Sequence, residues 1–293
     1  MEHVAPGIYR VETPLAGTAM LFAAYIIKES GVLIEPGPAG CVPRIRQALE
    51  ELEIGHLTCI IPTHIHVDHA GGMGTLARLF PEAMVVVHPA GRKHAVDPSR
   101  LIRSTKSAFG DGFEEVYGPV EPVPENQLRV PLDGETLRFG RRKLRIIYAP
   151  GHSPHHIAIL DSASGGLFCG EALGLPVQRG EIVPLPAVAP PSFDQELYLQ
   201  TIDKLRKLHP RILFYSHGGV GSDPERLTRM AEHHTRMLGD FIREALKAGK
   251  DPVVIQRELR DYVRASLGVE LESIDLAMTV GAYALYYRGI EPA

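Results

Sequence analysis

The segment Thr63-His64-Ile65-His66-Val67-Asp68-His69 constrains this chain more than any other. It follows a short apolar run, Leu57–Ile61, that ends at Pro62 and reads as a buried strand. In an extended segment His64 and His66 point to the same side, so both rings can reach one cation. Asp68 is expected to continue that alternation. His69 then requires the chain to turn, and Gly71-Gly72 makes a turn easy. Four side chains of the kind that bind zinc, iron or manganese thus leave one strand end.

Three more strand ends carry metal-type residues. His152 follows the strand that ends at Tyr148, in Ala149-Pro150-Gly151-His152-Ser153-Pro154. Glu171 follows Leu167–Cys169, and His217 follows Ile212–Tyr215, just before Gly218-Gly219. Ligands gathered at strand ends fit the edge of an open α/β sheet.

The rest of the chain is ordinary for a globular protein. Of 293 residues, 44% are hydrophobic and 23% charged, and the net charge is −4. Two short basic clusters, Arg100/Arg103/Lys106 and Arg141/Arg142/Lys143, read as solvated helix and hairpin faces, so no nucleic-acid partner is expected. No apolar run has the length a bilayer requires. The start, Met1-Glu2-His3, lacks a signal-peptide pattern, and three scattered cysteines show no disulfide framework. The expectation is a cytoplasmic protein that engages no membrane.

Strand signals dominate up to about residue 170. Met20–Lys28 and Val32–Ile34 read as a hairpin, Val42–Leu52 as a helix, Met84–His88 as a strand, and Asp97–Phe113 as helical. Leu128–Ile147 reads as a meander, Leu173–Phe193 as a loop rich in apolar side chains, and Pro184–Pro191 within it as proline-rich. From Asp223 the pattern turns helical. Three stripes follow: Leu227/Met230/His234/Met237/Phe241/Ala245, Val254/Leu259/Tyr262/Val263 and Ile274/Ala277/Val280/Ala284. The expected organisation is a main domain over 1–222 and a helical extension over 223–293 packed on it.

The motifs HIHVDH (64–69), GHS (151–153), GEA (170–172) and SHG (216–218), in this order and spacing, resemble the metallo-β-lactamase superfamily. The resemblance implies an α/β fold, the four-layer αβ/βα sandwich, here with a C-terminal helical extension. It implies His64, His66 and His152 on one metal, Asp68, His69 and His217 on a second, and a bridging carboxylate. The family normally has Asp at the bridging position. This chain has Glu171, longer by one methylene, which leaves one metal or two open. Two divalent ions are expected, zinc foremost, with iron or manganese as alternatives. Glu35 stands where relatives usually show Asp and is expected to support the 64–69 loop. His156 is expected as a hydrogen-bonding neighbour of a ligand or substrate.

The expected activity is hydrolysis of a small-molecule ester, thioester or lactone by metal-bound hydroxide, with Asp68 as proton shuttle. The alternatives are a mononuclear iron oxidoreductase resembling the persulfide dioxygenases, with His64, His152 and Glu171 as a facial triad, phosphodiester hydrolysis, and a non-catalytic metal- or nucleotide-binding protein. Lactonases of the superfamily often place a Tyr where this chain has Gly174. Its glutathione-thioester hydrolases carry basic residues where Leu173–Val177 is apolar. Three apolar segments, Thr18–Phe22, Phe109–Tyr117 and Leu173–Phe193, would either line an acyl or aromatic part of a substrate, or pack on each other or on a second copy in a homodimer.

Overall fold

The computed structural model describes residues 1–14, 21–110, 112–179 and 181–290. They fall into two compact units. One comprises Met1–Tyr148, His155–Gly170 and Pro210–Ser222; the other comprises Ala149–Pro154, Glu171–His209 and the chain from Asp223 onward. The second unit thus holds the helices that begin after Ser222 together with two earlier segments.

The first unit is built on two sheets. Strands β1 (Glu2–Ala5), β2 (Ile8–Pro14), β3 (Leu21–Ile27), β4 (Val32–Ile34), β5 (Cys59–Ile61), β6 (Met84–Val86) and β7 (Leu128–Arg129) lie side by side in sequence order. β1 to β4 are antiparallel neighbours, and β4 to β7 are parallel. The connections dictate this change. A single helical turn at Lys28–Ser30, closed by Gly31 at φ 58°, reverses the chain between β3 and β4. Helix α1 (Val42–Glu51) supplies the longer crossover that a parallel neighbour needs. Helices α2 (Val67–Ala70) and α3 (Met73–Leu79) link β5 to β6. Helices α4 (Arg92–Val96), α5 (Ser99–Phe109) and α6 (Phe113–Tyr117) lie between β6 and β7.

The second sheet begins with the antiparallel run β8 (Thr136–Phe139), β9 (Arg142–Tyr148), β10 (Ile157–Asp161) and β11 (Gly166–Gly170). The next two strands, β12 (Leu175–Arg179) and β13 (Glu181–Leu185), pair with each other in the second unit. β14 (Ile212–Tyr215) then returns parallel to β11, and β15 (Val220–Gly221) closes the edge. The meander expected over 128–147 is therefore divided. β7 pairs with β6 in the first sheet, and the chain crosses to the second sheet before β8.

Period-two alternation explains the core. From β3, Ala24 and Ile26 join Leu33, Ile60 and Val85 against Ile45 and Leu49 of α1 and Leu76 of α3. The intervening Ala23, Tyr25 and Ile27 face the other way. With Ile34 and Ile61 they meet Ile146, Ile157, Ile159, Phe168 and Phe214 of the second sheet. Each such side chain taken from water contributes about 1.5–3 kcal/mol. Cys59 lies in the layer between the sheets and Cys169 in β11, both without solvent contact, and Cys41 is 2% exposed; all three are free thiols whose pKa burial pushes up. In the cluster Arg141/Arg142/Lys143, Arg141 and Lys143 are exposed as expected and one residue is not. Arg142 is buried, and its guanidinium grips Asp161 at 2.8 and 2.7 Å.

In the second unit the apolar loop expected at 173–193 contains the β12–β13 hairpin. Pro176 and Pro184 face each other there, a register that suits two residues lacking an N–H. Helices α7 (Gln195–Arg206), α8 (Pro224–Lys247), α9 (Pro252–Leu267) and α10 (Ser273–Ile290) follow. Asp194, Asp223 and Asp251 cap α7, α8 and α9, each accepting a backbone N–H of the first turn. Pro224 and Pro252 start α8 and α9, where a missing N–H costs nothing. His234 of α8 is buried and donates from Nδ1 to the Pro184 carbonyl at 2.7 Å. No helix among the described residues is long and apolar enough to cross a membrane.

Candidate metal centre

Three strand ends of the first unit carry the site. β4 ends at Ile34 and delivers Glu35, β5 delivers Thr63 and His64, and β14 delivers Ser216 and His217. Ile157 N–H donates to the Thr63 carbonyl at 2.7 Å, which ties the start of β10 to the same loop. The backbone bends from Thr63 through His66 and then enters α2. Asp68 therefore sits in the first turn of a short helix and does not continue the alternation of His64 and His66. Helical bonding from Ala70 N to His66 O at 2.8 Å, and the bond from Gly37 N to His69 O at 3.0 Å, hold that turn. The turn separates the ligands. His64 Nε2 and His66 Nδ1 lie 2.8 Å apart. Asp68, His69 and His217 form a second group whose ligand atoms all lie within 4.8 Å of one another.

Glu35 organises both groups. It is buried and adopts φ 59°, a left-handed conformation that costs a non-glycine residue about 1–2 kcal/mol. Its carboxylate accepts from Thr63 Oγ1 at 2.5 Å, Thr63 N at 3.3 Å, His69 Nδ1 at 3.2 Å and the Ser216 hydroxyl. Proton bookkeeping then fixes the rings. The Thr63 hydroxyl spends its proton on Glu35, so its oxygen accepts from His64 Nδ1 at 3.1 Å. That leaves His64 Nε2 as a lone pair. His69 Nδ1 donates to Glu35 directly, so His69 Nε2 is also a lone pair. It faces Asp68 Oδ2 and His217 Nε2, each at 3.3 Å.

The surroundings grade from closed to open. His64 and His69 are buried, whereas Asp68 and His217 keep 27% and 20% of their side chains exposed, so that side meets solvent. The His156 ring stacks on His64 with centroids 4.8 Å apart. His155 accepts from Ile65 N–H at 3.2 Å and stands edge-on to His66. Gly170, at φ 55°, makes this packing feasible: a Cβ there would lie 2.6 Å from both His156 Nε2 and Thr63 Oγ1. The Phe22 ring lies against His217, centroids 4.9 Å apart. Phe22, Cys41, Val67, Phe113 and Tyr117 pack on one another, so two of the apolar segments close into a cluster; Thr18–Met20 lie outside the described residues. Burial, reinforced by the charge of Asp68, pushes the Tyr117 phenol up to about 12.

The second unit presents its own pair. His152 Nδ1 donates to the Ala187 carbonyl at 3.2 Å, and its Nε2 stands 2.9 Å from Glu171 Oε2. Both residues are buried. A ring nitrogen lone pair and a carboxylate oxygen at that separation repel unless a cation or proton lies between them. The same holds for His69 Nε2 and Asp68 Oδ2. Imidazoles with assigned tautomers facing carboxylates are a donor set that fits zinc, iron or manganese. The buried, protonated cysteines add no thiolate to it.

Thr63, which relays Glu35 to His64, and Ser216, which donates to Glu35, were not among the expected site residues. A signal for them exists, because a hydroxyl directly precedes each of His64 and His217.

Known proteins resemble this chain. The sequence profile of the metallo-beta-lactamase superfamily matches residues 13–217. The metallo-beta-lactamase fold-containing protein ST1585 of Sulfurisphaera tokodaii is 30% identical over 186 residues, 62% of this chain and 67% of that one. A hydroxyacylglutathione hydrolase of Legionella pneumophila is 27% identical over 152 residues, 51% of this chain and 46% of that one. This chain thus spans about half the length of that hydrolase. The crystal structure of the metallo-beta-lactamase family protein TTHA1429 from Thermus thermophilus superposes with a TM-score of 0.74, at 20% identity, covering 97% of this chain and 94% of that one. With the profile spanning the strand ends that bear Glu35 through His217, the chain belongs to the metallo-beta-lactamase superfamily.

Proposed function

We propose that this protein is a metal-dependent hydrolase of a small-molecule ester, thioester or lactone. His64, His66 and His152 would hold one divalent cation and Asp68, His69 and His217 a second, with Glu171 as the shared carboxylate. Zinc is the leading candidate, with iron or manganese as alternatives. The observation that carries this reading is the hydrogen bonding of Glu35, direct to His69 and through Thr63 to His64, which turns two Nε2 lone pairs toward the ligand side. The relatives named hydroxyacylglutathione hydrolases support keeping a thioester among the candidate substrates.

Bound divalent cations would supply Lewis-acid polarisation of the scissile carbonyl and activation of water. The chain's own residues supply the rest. Asp68, partly exposed, would accept a proton from an attacking water at the carboxylate oxygen it does not give to the cation and return it to the leaving group. Glu35 and Thr63 keep the His69 and His64 rings oriented throughout.

Metal analysis of protein purified without added metal, followed by a screen of thioesters, esters and lactones, tests the proposal. Two zinc ions per chain with ester turnover is the expected result. One iron per chain with oxygen uptake would overturn it. Glu171→Asp should retain both metals, and Glu171→Ala should lose at least one. Unchanged metal content and activity in both variants would remove Glu171 from the ligand set.

A further inference from the structure

We infer that Tyr198, in α7, is a positioning residue that sets the ring of His152 and the backbone of Glu171 for metal binding. This rests on the reading above that the pair holds a cation. The Tyr198 side chain is fully buried. Its hydroxyl donates to the Glu171 carbonyl at 2.7 Å and accepts from the Ala187 N–H at 3.3 Å. Ala187 is therefore held at both ends, because its carbonyl takes the His152 Nδ1 proton. One phenol thus fixes the peptide that dictates the His152 tautomer and the peptide that carries the Glu171 side chain.

The chain around Tyr198 grips the His152 segment at further points. Asp194 N–H donates to the Gly151 carbonyl at 2.8 Å, and Thr201 Oγ1 donates to the Pro150 carbonyl at 2.6 Å. Gly151 packs so closely that a Cβ there would lie 2.4 Å from Tyr198 Cα. Phe193 and Tyr283 extend the support. The Phe193 ring lies 5.7 Å from that of Tyr198 and 4.9 Å from that of Tyr283. Tyr287 of α10 donates to Gln195 Oε1, in the first turn of α7, at 2.7 Å. The C-terminal helix, which contributes no metal-type ligand to either group, thereby supports the helix that carries Tyr198.

The hydroxyl does what the ring alone cannot. It satisfies one buried acceptor and one buried donor from a rigid arm. Without it, the Ala187 peptide loses its anchor and His152 loses its fixed acceptor. The ring is then free to carry its proton on Nε2, which removes it as a ligand at that nitrogen.

The test compares Tyr198→Phe with Tyr283→Phe, each in the full chain loaded with zinc. The control variant removes a hydroxyl of the same aromatic cluster, bonded to the Thr235 carbonyl at 3.0 Å. Competition with a chromophoric chelator reads the zinc affinities, and thermal melts read the fold. Tyr198→Phe should weaken one zinc site by about 10–100-fold, the range for loss of an outer hydrogen-bond partner, and spare the other. Tyr283→Phe should spare both. Equal zinc affinities in Tyr198→Phe and wild type, or equal losses in the two variants, would overturn the inference. Wild type that binds no zinc would instead overturn the functional reading. The ring 15N spectrum of His152 in wild type, with and without zinc, decides independently of any variant. A protonated Nδ1 is expected, and a proton resident on Nε2 would refute the assignment.

Discussion

Replacing Glu35 should weaken both halves of the first unit's ligand set at once. Its Oε1 accepts from Thr63 Oγ1, Ser216 Oγ and His69 Nδ1, and its Oε2 accepts from Thr63 N. In Glu35→Gln the amide oxygen can keep the three Oε1 bonds, but as neutral ones, while its NH2 confronts the Thr63 N–H. A bond to a charged acceptor contributes about 1.5–3 kcal/mol and a neutral one about 1. The hold on His69 therefore weakens by about 1 kcal/mol, and zinc affinity at Asp68/His69/His217 should fall about five- to tenfold. In Glu35→Ala no acceptor remains. The His69 ring escapes an unsatisfied buried N–H by moving its proton to Nε2, and the Thr63 hydroxyl becomes free to donate to His64. Both zinc affinities should then drop, by about 10–100-fold. Chelator competition resolves the two dissociation constants, and circular dichroism of the metal-free variant checks the fold. A folded Glu35→Ala protein with either affinity unchanged would refute the claim that one carboxylate sets both tautomers.

Other expectations follow from the geometry. Gly170→Ala should destabilise the protein by roughly 2–5 kcal/mol in urea unfolding, from left-handed strain plus overpacking; a loss below about 1 kcal/mol would mean that His156 and Thr63 move aside easily. Burial holds the pKa of His234 below the ordinary imidazole range. The folded protein thus keeps this ring neutral while the unfolded chain protonates it below about pH 6.5, so its contribution to stability is whole above that pH and declines as the pH falls through the depressed folded value. His234→Asn keeps a donor for Pro184 and removes the titration. Its melting temperature should therefore fall less than that of wild type between pH 7 and 5, and parallel slopes would contradict the assignment.

Much of this was legible in the sequence because the relevant signals are local. The ligand residues follow apolar strands directly, and α1, α8 and α9 have polar and apolar faces that alternate at helical spacing. What the sequence left obscure depends on distant partners. Asp68 reads as part of an extended alternation, since nothing in HIHVDH announces that Gly37 will tie the His69 carbonyl and close a helical turn. Arg142 reads as a surface base because its partner Asp161 sits across a strand pair. In α10 the stripe read from spacing includes the exposed Ala277, whereas Leu276, Tyr283 and Tyr287 are buried; a helix apolar all round offers no contrast by which to assign a face. The β12–β13 hairpin was hidden by its prolines, which are ordinarily loop signals and here occupy paired positions. Tyr198 has no local signature at all, because its role exists only through Ala187 and Glu171.

The three free cysteines have a practical consequence. Each is buried and its thiol is held in the protonated form, so none reacts with a disulfide reagent until its surroundings open. Cys59 lies within the layer between the two sheets, whereas Cys41 belongs to the small aromatic cluster beside Val67. Labelling kinetics would therefore time two different events in one native chain, local loosening of that cluster at Cys41 and separation of the sheets at Cys59. The protein carries its own clock for how far a bound ion slows each kind of opening.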